Sequence, residues 1–493
     1  MMAMISSESG LGVEMTRITL KLLLAVAPLG FALGAPALGA DMPVGPPLMK
    51  APPYNPYSWT GWYIGANAGY GVGQNQGSLA APLNVPSPIN ETFNAATGGG
   101  FGGGQLGYNY QINSVVVGLE TDIQGSGISD TRTCLLTCVA GATALIDQKL
   151  SWFGTTRARL GWATGPVLTY VTIGAAYGGT ETGVATSGAF LGPPATTITS
   201  ATKSGWTWGT GVEAALGGNW TAKAEYLYVD LGTASATTLS PVFPTTFSTK
   251  YQEQIFRAGI NYRFGPDQSA GIWPTYNWAG LFVGGTFGYG ISRNDSTFAV
   301  AGVPPANAEA FFLSPRGFEG GGIVGYNWQF GRWVAGVDAD IQGSTGNGYL
   351  TCAFFCTTTV ATTINQTESW FGTVRGRLGY AVGPALFYAT GGGAYGTVKE
   401  SITQAAAGVP TTTVNFSHSK SGFAVGGGIE NKLDIFGLLG PNWTTRTEYL
   451  YVDLGSVTDT FTNPPVLAGA QTLTSNLHEH VWRTVISYKF GGM

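Results

Sequence analysis

The chain has 493 residues and a formal net charge of −4, and only 10% of its residues are charged, against about a quarter in ordinary soluble domains. Glycine contributes 76 residues and aromatic residues 12%, a composition that excludes an ordinary helical enzyme as the default reading. The small net charge leaves no electrostatic footprint for nucleic acid.

Residues 1–40 have the layout of an export signal. Arg17 and Lys21 precede or open a short apolar core, Leu22 to Leu33, and Ala35, Ala37, Gly39 and Ala40 supply small residues for cleavage after Gly39 or Ala40. Residues 1–14 include Glu8 and Glu14 and fit such a leader poorly, so Met15 is the better start. Past this region no apolar run approaches the ~20 residues that a transmembrane helix needs. Residues 41–57 carry prolines 43, 46, 47, 52, 53 and 56 and read as an extended linker.

From Trp59 the pattern turns to period two. Eight strands are predicted, over 61–72, 100–111, 114–124, 150–163, 167–179, 204–216, 219–231 and 253–264. Most have about the 9–11 residues that a tilted strand needs to cross a bilayer, or slightly more. Ile112-Asn113, Thr164-Gly165-Pro166 and Gly217-Gly218 are tight turns, while the other four connections are long and rich in Ala, Thr, Ser and Pro. Short turns on one side and long loops on the other are the layout of a transmembrane β-barrel. This gives a first barrel over 58–265.

Residues 266–277 form a second linker, and then the whole unit repeats over 278–491. Trp278, Gly280 and Gly284 answer Trp59, Gly61 and Gly65, and Ser369-Trp370-Phe371-Gly372 answers Ser151-Trp152-Phe153-Gly154. The clearest copy is WTAKAEYLYVDLG, Trp220 to Gly232, against WTTRTEYLYVDLG, Trp443 to Gly455, identical at ten of thirteen positions 223 residues apart. A repeat of this kind is a tandem duplication of one structural unit.

Side chains alternate between the two faces of a strand. One parity collects Glu120, Asp122, Arg157, Arg159, Glu213, Lys223, Glu225, Arg257 and Arg263 in the first half. It collects Asp338, Asp340, Arg375, Arg377, Glu430, Arg446, Glu448, Arg483 and Lys489 in the second. Each set is five positive and four negative, and every sign matches its copy. The other parity holds Val117, Leu119, Trp152, Leu160, Tyr226, Tyr228, Phe256, Ile260 and Tyr262. Rings toward lipid and charges toward the lumen are the pattern of a membrane barrel. An eight-strand bore is only wide enough for its own side chains, and buried charges there must be paired. The set therefore reads as an internal salt-bridge plug rather than a catalytic cluster.

Other chemistry is sparse. His418, His478 and His480 all lie in the second half near predicted loop ends, and His478 and His480 share a strand face; loop polarity is the simpler reading than a haem or metal site. The glycine run Gly98 to Gly104 leads into a strand, not a helix, and reads as close strand packing rather than a phosphate loop. No nucleophile elbow and no HExxH motif occurs, so no enzyme, cofactor or metal is expected.

EYLYVDLG (Glu225 to Gly232, Glu448 to Gly455) resembles the penultimate strand of the small outer-membrane barrel proteins of rhizobia and brucellae, the immunogenic, opacity-type relatives of the OmpA membrane domain. SWFGT-x-R-x-RLG (Ser151 to Gly161, Ser369 to Gly379) is similar to their fourth strand, and the Trp-x-Gly openings at Trp59 and Trp278 to their first. The resemblance implies an all-β protein of the Gram-negative outer membrane, exported by a Sec-type route. It implies a structural role in the envelope, with lipid, lipopolysaccharide and the barrel-assembly machinery as partners. Most such proteins are single barrels, so the tandem copy leaves two architectures: two eight-stranded barrels, or one sixteen-stranded pore for passive transport of small solutes. A haem- or ligand-binding surface receptor acting through the long loops is the third reading. Oligomeric state is not legible.

Cys134 and Cys138 in one long loop are repeated by Cys352 and Cys356. An exported protein meets an oxidising compartment, so two local disulfides are expected and a metal site is the sharper alternative. Four extended residues would separate the Cα atoms by roughly 13 Å, beyond disulfide reach, so each loop must turn back there. Protein purified without reductant is expected to show no free thiol at the four positions. Maleimide labelling measures this, and quantitative labelling would remove the disulfides.

Overall fold

In the computed structural model of the chain, which describes residues 57–490 apart from 74, 82–88, 134–141, 189–191, 238–245, 266–274, 302–307, 352–359, 434–438 and 464–465, both halves form antiparallel rings. The four cysteines lie outside the described residues. The first half runs β1 (Gly61–Gly73), β2 (Asn75–Ala81), β3 (Ile89–Ala95), β4 (Gly98–Ile112), β5 (Val115–Thr133), β6 (Ala142–Thr164), β7 (Val167–Gly188), β8 (Gly192–Gly217), β9 (Trp220–Thr237) and β10 (Thr246–Arg263). The second runs β11 (Gly280–Ser292), β12 (Asn294–Val300), β13 (Glu309–Leu313), β14 (Arg316–Phe330), β15 (Trp333–Ser344), β16 (Asn347–Thr351), β17 (Val360–Val382), β18 (Ala385–Ala406), β19 (Val409–Lys432), β20 (Trp443–Asn463) and β21 (Leu467–Phe490).

Each ring closes on itself. β1 pairs with β4 on one side and with β10 on the other, from Tyr63↔Arg263 to Gly73↔Glu253. β11 pairs likewise with β14 and with β21, from Leu281↔Phe490 to Ser292↔Glu479. Eight strands complete each circle, and the hairpins β2–β3 and β12–β13 hang from the upper ends of β10 and β21. Two tandem eight-stranded barrels are thus formed. A single sixteen-stranded ring would need β10 to pair across to the second half, and β1 already occupies that edge.

The strands are longer than their sequence suggests. β8 has 26 residues, which rise roughly 65 Å along the axis at a tilt of about 40°, against an apolar band of about 25 Å. The predicted strands stop where aromatic alternation stops, yet the ladder continues through segments rich in Ala, Thr and Ser. There, outward threonines pair across strands, as in Thr403 with Thr413 (2.9 Å) and Thr458 with Thr474 (3.2 Å). Most of what reads as long loops is therefore continued barrel wall.

The repeated VDLG sequence marks a bulge where this upper wall begins. Leu231 is an extra residue in β9, between Asp230 facing Gln252 and Gly232 facing Tyr251. Leu454 repeats it between Asp453 and Gly455. Gly232 and Gly455 both take φ of 75°, a left-handed value that costs glycine least. The amide of each donates to the aspartate two residues back, Gly232 to Asp230 Oδ1 (2.9 Å) and Gly455 to Asp453 Oδ1 (2.7 Å). A bulge adds one residue and so exchanges the faces of everything beyond it. Below it Glu225, Leu227 and Val229 point inward; above it Ala234 and Ala236 do. A second matched pair of bulges places Ser151 and Ser369 as extra residues in β6 and β17.

The glycine run behaves as close packing: a Cβ on Gly103 would collide with the Ile123 carbonyl of β5. On the outer face Leu119, Leu160 and Ile260 are exposed, as lipid-facing residues should be. Tyr226 and Phe256 point the same way yet are buried, because the second barrel packs there. Tyr226 stacks on Trp482 (6.3 Å between ring centroids) and Phe256 meets Tyr449 (5.1 Å). His480 stacks on Tyr70 (5.2 Å) and is buried in the same seam, a setting more specific than loop polarity. An apolar crevice of about 810 Å³ runs beside it between the two walls.

Because ring closure uses only strands of the first half, a fragment ending at Gly265 is expected to refold alone in detergent. It should migrate faster on a gel unheated than boiled. A fragment that migrates identically in both states would show that the second half is needed to close the first.

Candidate functional site: the charged interior of each barrel

Within the lower part of each barrel, inward strand parity delivers charges from five neighbouring or facing strands to one level. In the first, Arg157 on β6 is the hub. Its Nη1 lies 2.8 Å from Glu225 Oε1, its Nη2 lies 2.8 Å from Asp122 Oδ2 and 2.5 Å from Glu120 Oε1, and its Nε donates to Thr155 Oγ1 (2.8 Å). Arg257 donates through Nε to Glu225 Oε2 (2.6 Å) and through Nη2 to Asp122 Oδ2 (2.9 Å). Lys223 reaches Glu120 at 2.7 Å. Arg159 bonds Glu213 Oε2 (2.8 Å) and donates to the Tyr63 hydroxyl (2.8 Å), which donates in turn to Glu120 Oε2 (2.8 Å). The Tyr170 hydroxyl donates to Glu225 Oε1 (3.1 Å), and its ring lies under the Arg159 guanidinium at 3.8 Å.

The second barrel repeats the plan. Arg375 contacts Asp338 (3.0 Å), Asp340 (3.0 Å) and Glu448 (3.1 Å). Arg483 contacts Asp340 (2.9 Å) and Glu448 (2.6 Å), Arg377 contacts Glu430 (2.7 Å), and Arg446 contacts Asp338 (3.2 Å). One pair differs in an instructive way. Glu120 with Lys223 becomes Asp338 with Arg446, a carboxylate one methylene shorter facing a longer cation. The space between the strands is filled either way, as a close-packed interior requires.

One member of each predicted set stands apart. Arg263 donates through Nη2 to the Ser58 carbonyl (2.6 Å) and lies over the Tyr57 ring at 5.1 Å. Lys489 donates to the Asn277 carbonyl and lies 4.6 Å from the centre of the Tyr276 ring. Both tie the entering chain to the short-turn end of the barrel. Without them, four cations face four carboxylates in each barrel: Arg157, Arg159, Lys223 and Arg257 against Glu120, Asp122, Glu213 and Glu225, and Arg375, Arg377, Arg446 and Arg483 against Asp338, Asp340, Glu430 and Glu448. This network is neutral, and its ion-paired side chains are almost wholly buried.

Directly above the plug the two barrels part. The first holds an apolar cluster that includes Phe101, Ile128, Leu150, Phe153 and Ile255, together with the buried Glu253, whose Oε1 accepts a hydrogen bond from Thr97 Oγ1 (2.8 Å). In the second, Glu319 on β14 and Glu368 on β17 stand at the positions of Phe101 and Leu150, beside Glu479 on β21. The Glu319 and Glu479 carboxyls both crowd Gly290, and Ser292 donates to Glu368 (2.6 Å). Three carboxyls this close cannot all carry charge. Further up, His418 on β19 bonds Asp459 on β20 (2.8 Å) beside Glu400 on β18. Neither group was anticipated from sequence. Glu319 and Glu479 share parity with the plug and were within reach of the same rule. Glu368 and Asp459 lie beyond bulges that exchange the faces.

Glu225→Ala is expected to deprive Arg157 and Arg257 of one carboxylate each, and Tyr170 of its acceptor. Removing one member of a buried pair costs about 3–5 kcal/mol, so the unfolding temperature should fall, and Glu448→Ala should do the same. Thermal unfolding in detergent checks both, and an unchanged transition would place Glu225 in contact with water.

The family model described as outer membrane protein beta-barrel domain matches residues 47–264 and again 268–490. The 31 kDa outer-membrane immunogenic protein of Brucella melitensis is 38% identical over 238 residues, covering 46% of this chain and 93% of that protein. The 22 kDa outer membrane protein of Rhizobium leguminosarum is 31% identical over 192 residues, covering 38% of this chain and 70% of that protein. Among solved structures, Neisserial surface protein A aligns at 15% identity and a TM-score of 0.20, covering 42% of this chain and 98% of that one. With the family model matched across both rings, the chain belongs to the outer membrane protein beta-barrel domain family, carries that domain twice, and is a protein of the Gram-negative outer membrane.

Proposed function

We propose that the protein is a structural element of the outer membrane, two plugged barrels that fix a tall wall above the lipid and carry out no catalysis. The neutral four-against-four network filling each bore carries this reading. A bore filled by its own ion-paired side chains offers solutes no aqueous path. The outer faces suit lipid and lipopolysaccharide, and the barrel-assembly machinery is the expected route of insertion. The upper walls are the part presented to the outside. Names among the relatives, such as the 31 kDa outer-membrane immunogenic protein, fit a surface of that kind.

The transport alternative through one sixteen-stranded pore loses its basis in the two ring closures. The haem alternative gains nothing from His478 and His480: each takes a tyrosine hydroxyl on Nδ1, Tyr451 at 3.0 Å and Tyr449 at 2.7 Å, and His480 faces the neighbouring barrel. Whole protein inserted in planar bilayers is expected to give no large, stable conductance steps. Ohmic steps of porin size would overturn the structural reading.

A further inference from the structure

We propose that Glu400, His418 and Asp459 form a binding site for a divalent transition-metal ion of the zinc type in the upper wall of the second barrel. The three residues come from the consecutive strands β18, β19 and β20, and one ligand atom from each lies within 4.8 Å of the other two. Ligand atoms around a tetrahedral zinc stand roughly 3.4 Å apart, with metal–ligand distances of about 2.0–2.2 Å, so small side-chain rotations suffice. An imidazole with two carboxylates is a donor set that suits zinc and its neighbours in the first transition row.

The chemistry of the cluster asks for a cation. Glu400 is 1% exposed; its Oε1 accepts a hydrogen bond from Gln366 Nε2 (2.7 Å), while its Oε2 accepts none. Asp459 is 4% exposed and binds His418 Nε2 through both oxygens, at 2.8 and 3.0 Å. Two buried carboxylates against one imidazole leave at least one negative charge uncompensated. A metal ion would supply the positive charge that the two carboxylates lack.

The surroundings suit entry and support. The ladder between β19 and β20 runs only from Phe423↔Asp453 to Lys432↔Thr444, so at the level of His418 the two strands are joined by side chains rather than by backbone. The His418 side chain is 26% exposed and gives access from outside. Behind the site, Asn294 Nδ2 donates to Gln366 Oε1 (2.6 Å), which orients the Gln366 amide toward Glu400. Outer-shell bonds of this kind fix ligand geometry. In the first barrel the corresponding positions are Thr182, Ala201 and Ala236, so the site belongs to the second copy alone.

The test uses the full chain, refolded in detergent without an affinity tag and titrated with Co²⁺ and then Zn²⁺. The expected result is one saturable set of Co²⁺ visible bands, bleached by one equivalent of Zn²⁺. Affinity should fall at least tenfold in His418→Ala and in Glu400→Gln. Both variants should keep the heat-dependent gel shift of a folded barrel, since His418 is partly exposed and glutamine preserves the volume of Glu400. Absence of saturable Co²⁺ bands in the parent would overturn the proposal. So would bands that persist in folded His418→Ala and are lost in His478→Ala, which would place the ion elsewhere.

Discussion

An eight-stranded ring has almost no interior, and that limit governs the rest of this protein. The bore cannot hold enough water to solvate a charge, so every charge placed there must meet its opposite at contact distance. Arg157 and Arg375 answer this by touching three carboxylates each. The second ring of contacts, through Tyr63, Tyr170 and Tyr388, supplies further donors to the same carboxylates. A barrel held in this way is tied across its lumen as well as around its wall. The outer surface is then free to be as apolar as lipid demands.

The bulges at Leu231 and Leu454 separate two regimes of side-chain packing. Below them the interior is ionic and the exterior aromatic. Above them the interior mixes apolar side chains such as Phe461 and Leu473 with buried polar ones such as Gln404 and Gln471, and the exterior turns to threonine and serine. One strand serves both because a single extra residue exchanges its faces at the boundary. The Asp and Gly of the repeated VDLG sequence are the parts that make that exchange: the aspartate caps the amide, and the glycine takes the left-handed turn.

Much of the fold and of the plug was legible because both rest on period two. Strand parity placed Glu120, Asp122, Arg157, Arg159, Glu213, Lys223, Glu225 and Arg257 on the side where they meet. The repeat showed that Asp338, Asp340, Arg375, Arg377, Glu430, Arg446, Glu448 and Arg483 would follow. Parity cannot say how far up the bore a residue sits, which is why Arg263 and Lys489 were grouped with a network they do not join. It also fails beyond a bulge, as at Glu368 and Asp459. The packing of Tyr226 and Phe256 against the second barrel was hidden for another reason: a ring facing lipid and a ring facing a neighbouring barrel look alike in sequence. The upper walls were hidden because threonine-rich alternation reads as a loop when hydrophobicity is the only signal followed.

Closure of each ring has a consequence for how the two copies have come to differ. Among the described residues no backbone ladder joins the two rings, so a substitution inside one barrel leaves the hydrogen-bonded closure of its twin intact. Duplication of a closed unit therefore creates a spare. One copy can keep the apolar filling of Phe101 and Leu150, while the other experiments with carboxyls at Glu319 and Glu368 under the shelter of a sibling that still anchors the chain in the membrane. In an open sheet the same trial would disturb every neighbouring strand. Modularity here is a property of hydrogen-bond connectivity, and it makes the second barrel the place to look for novelty.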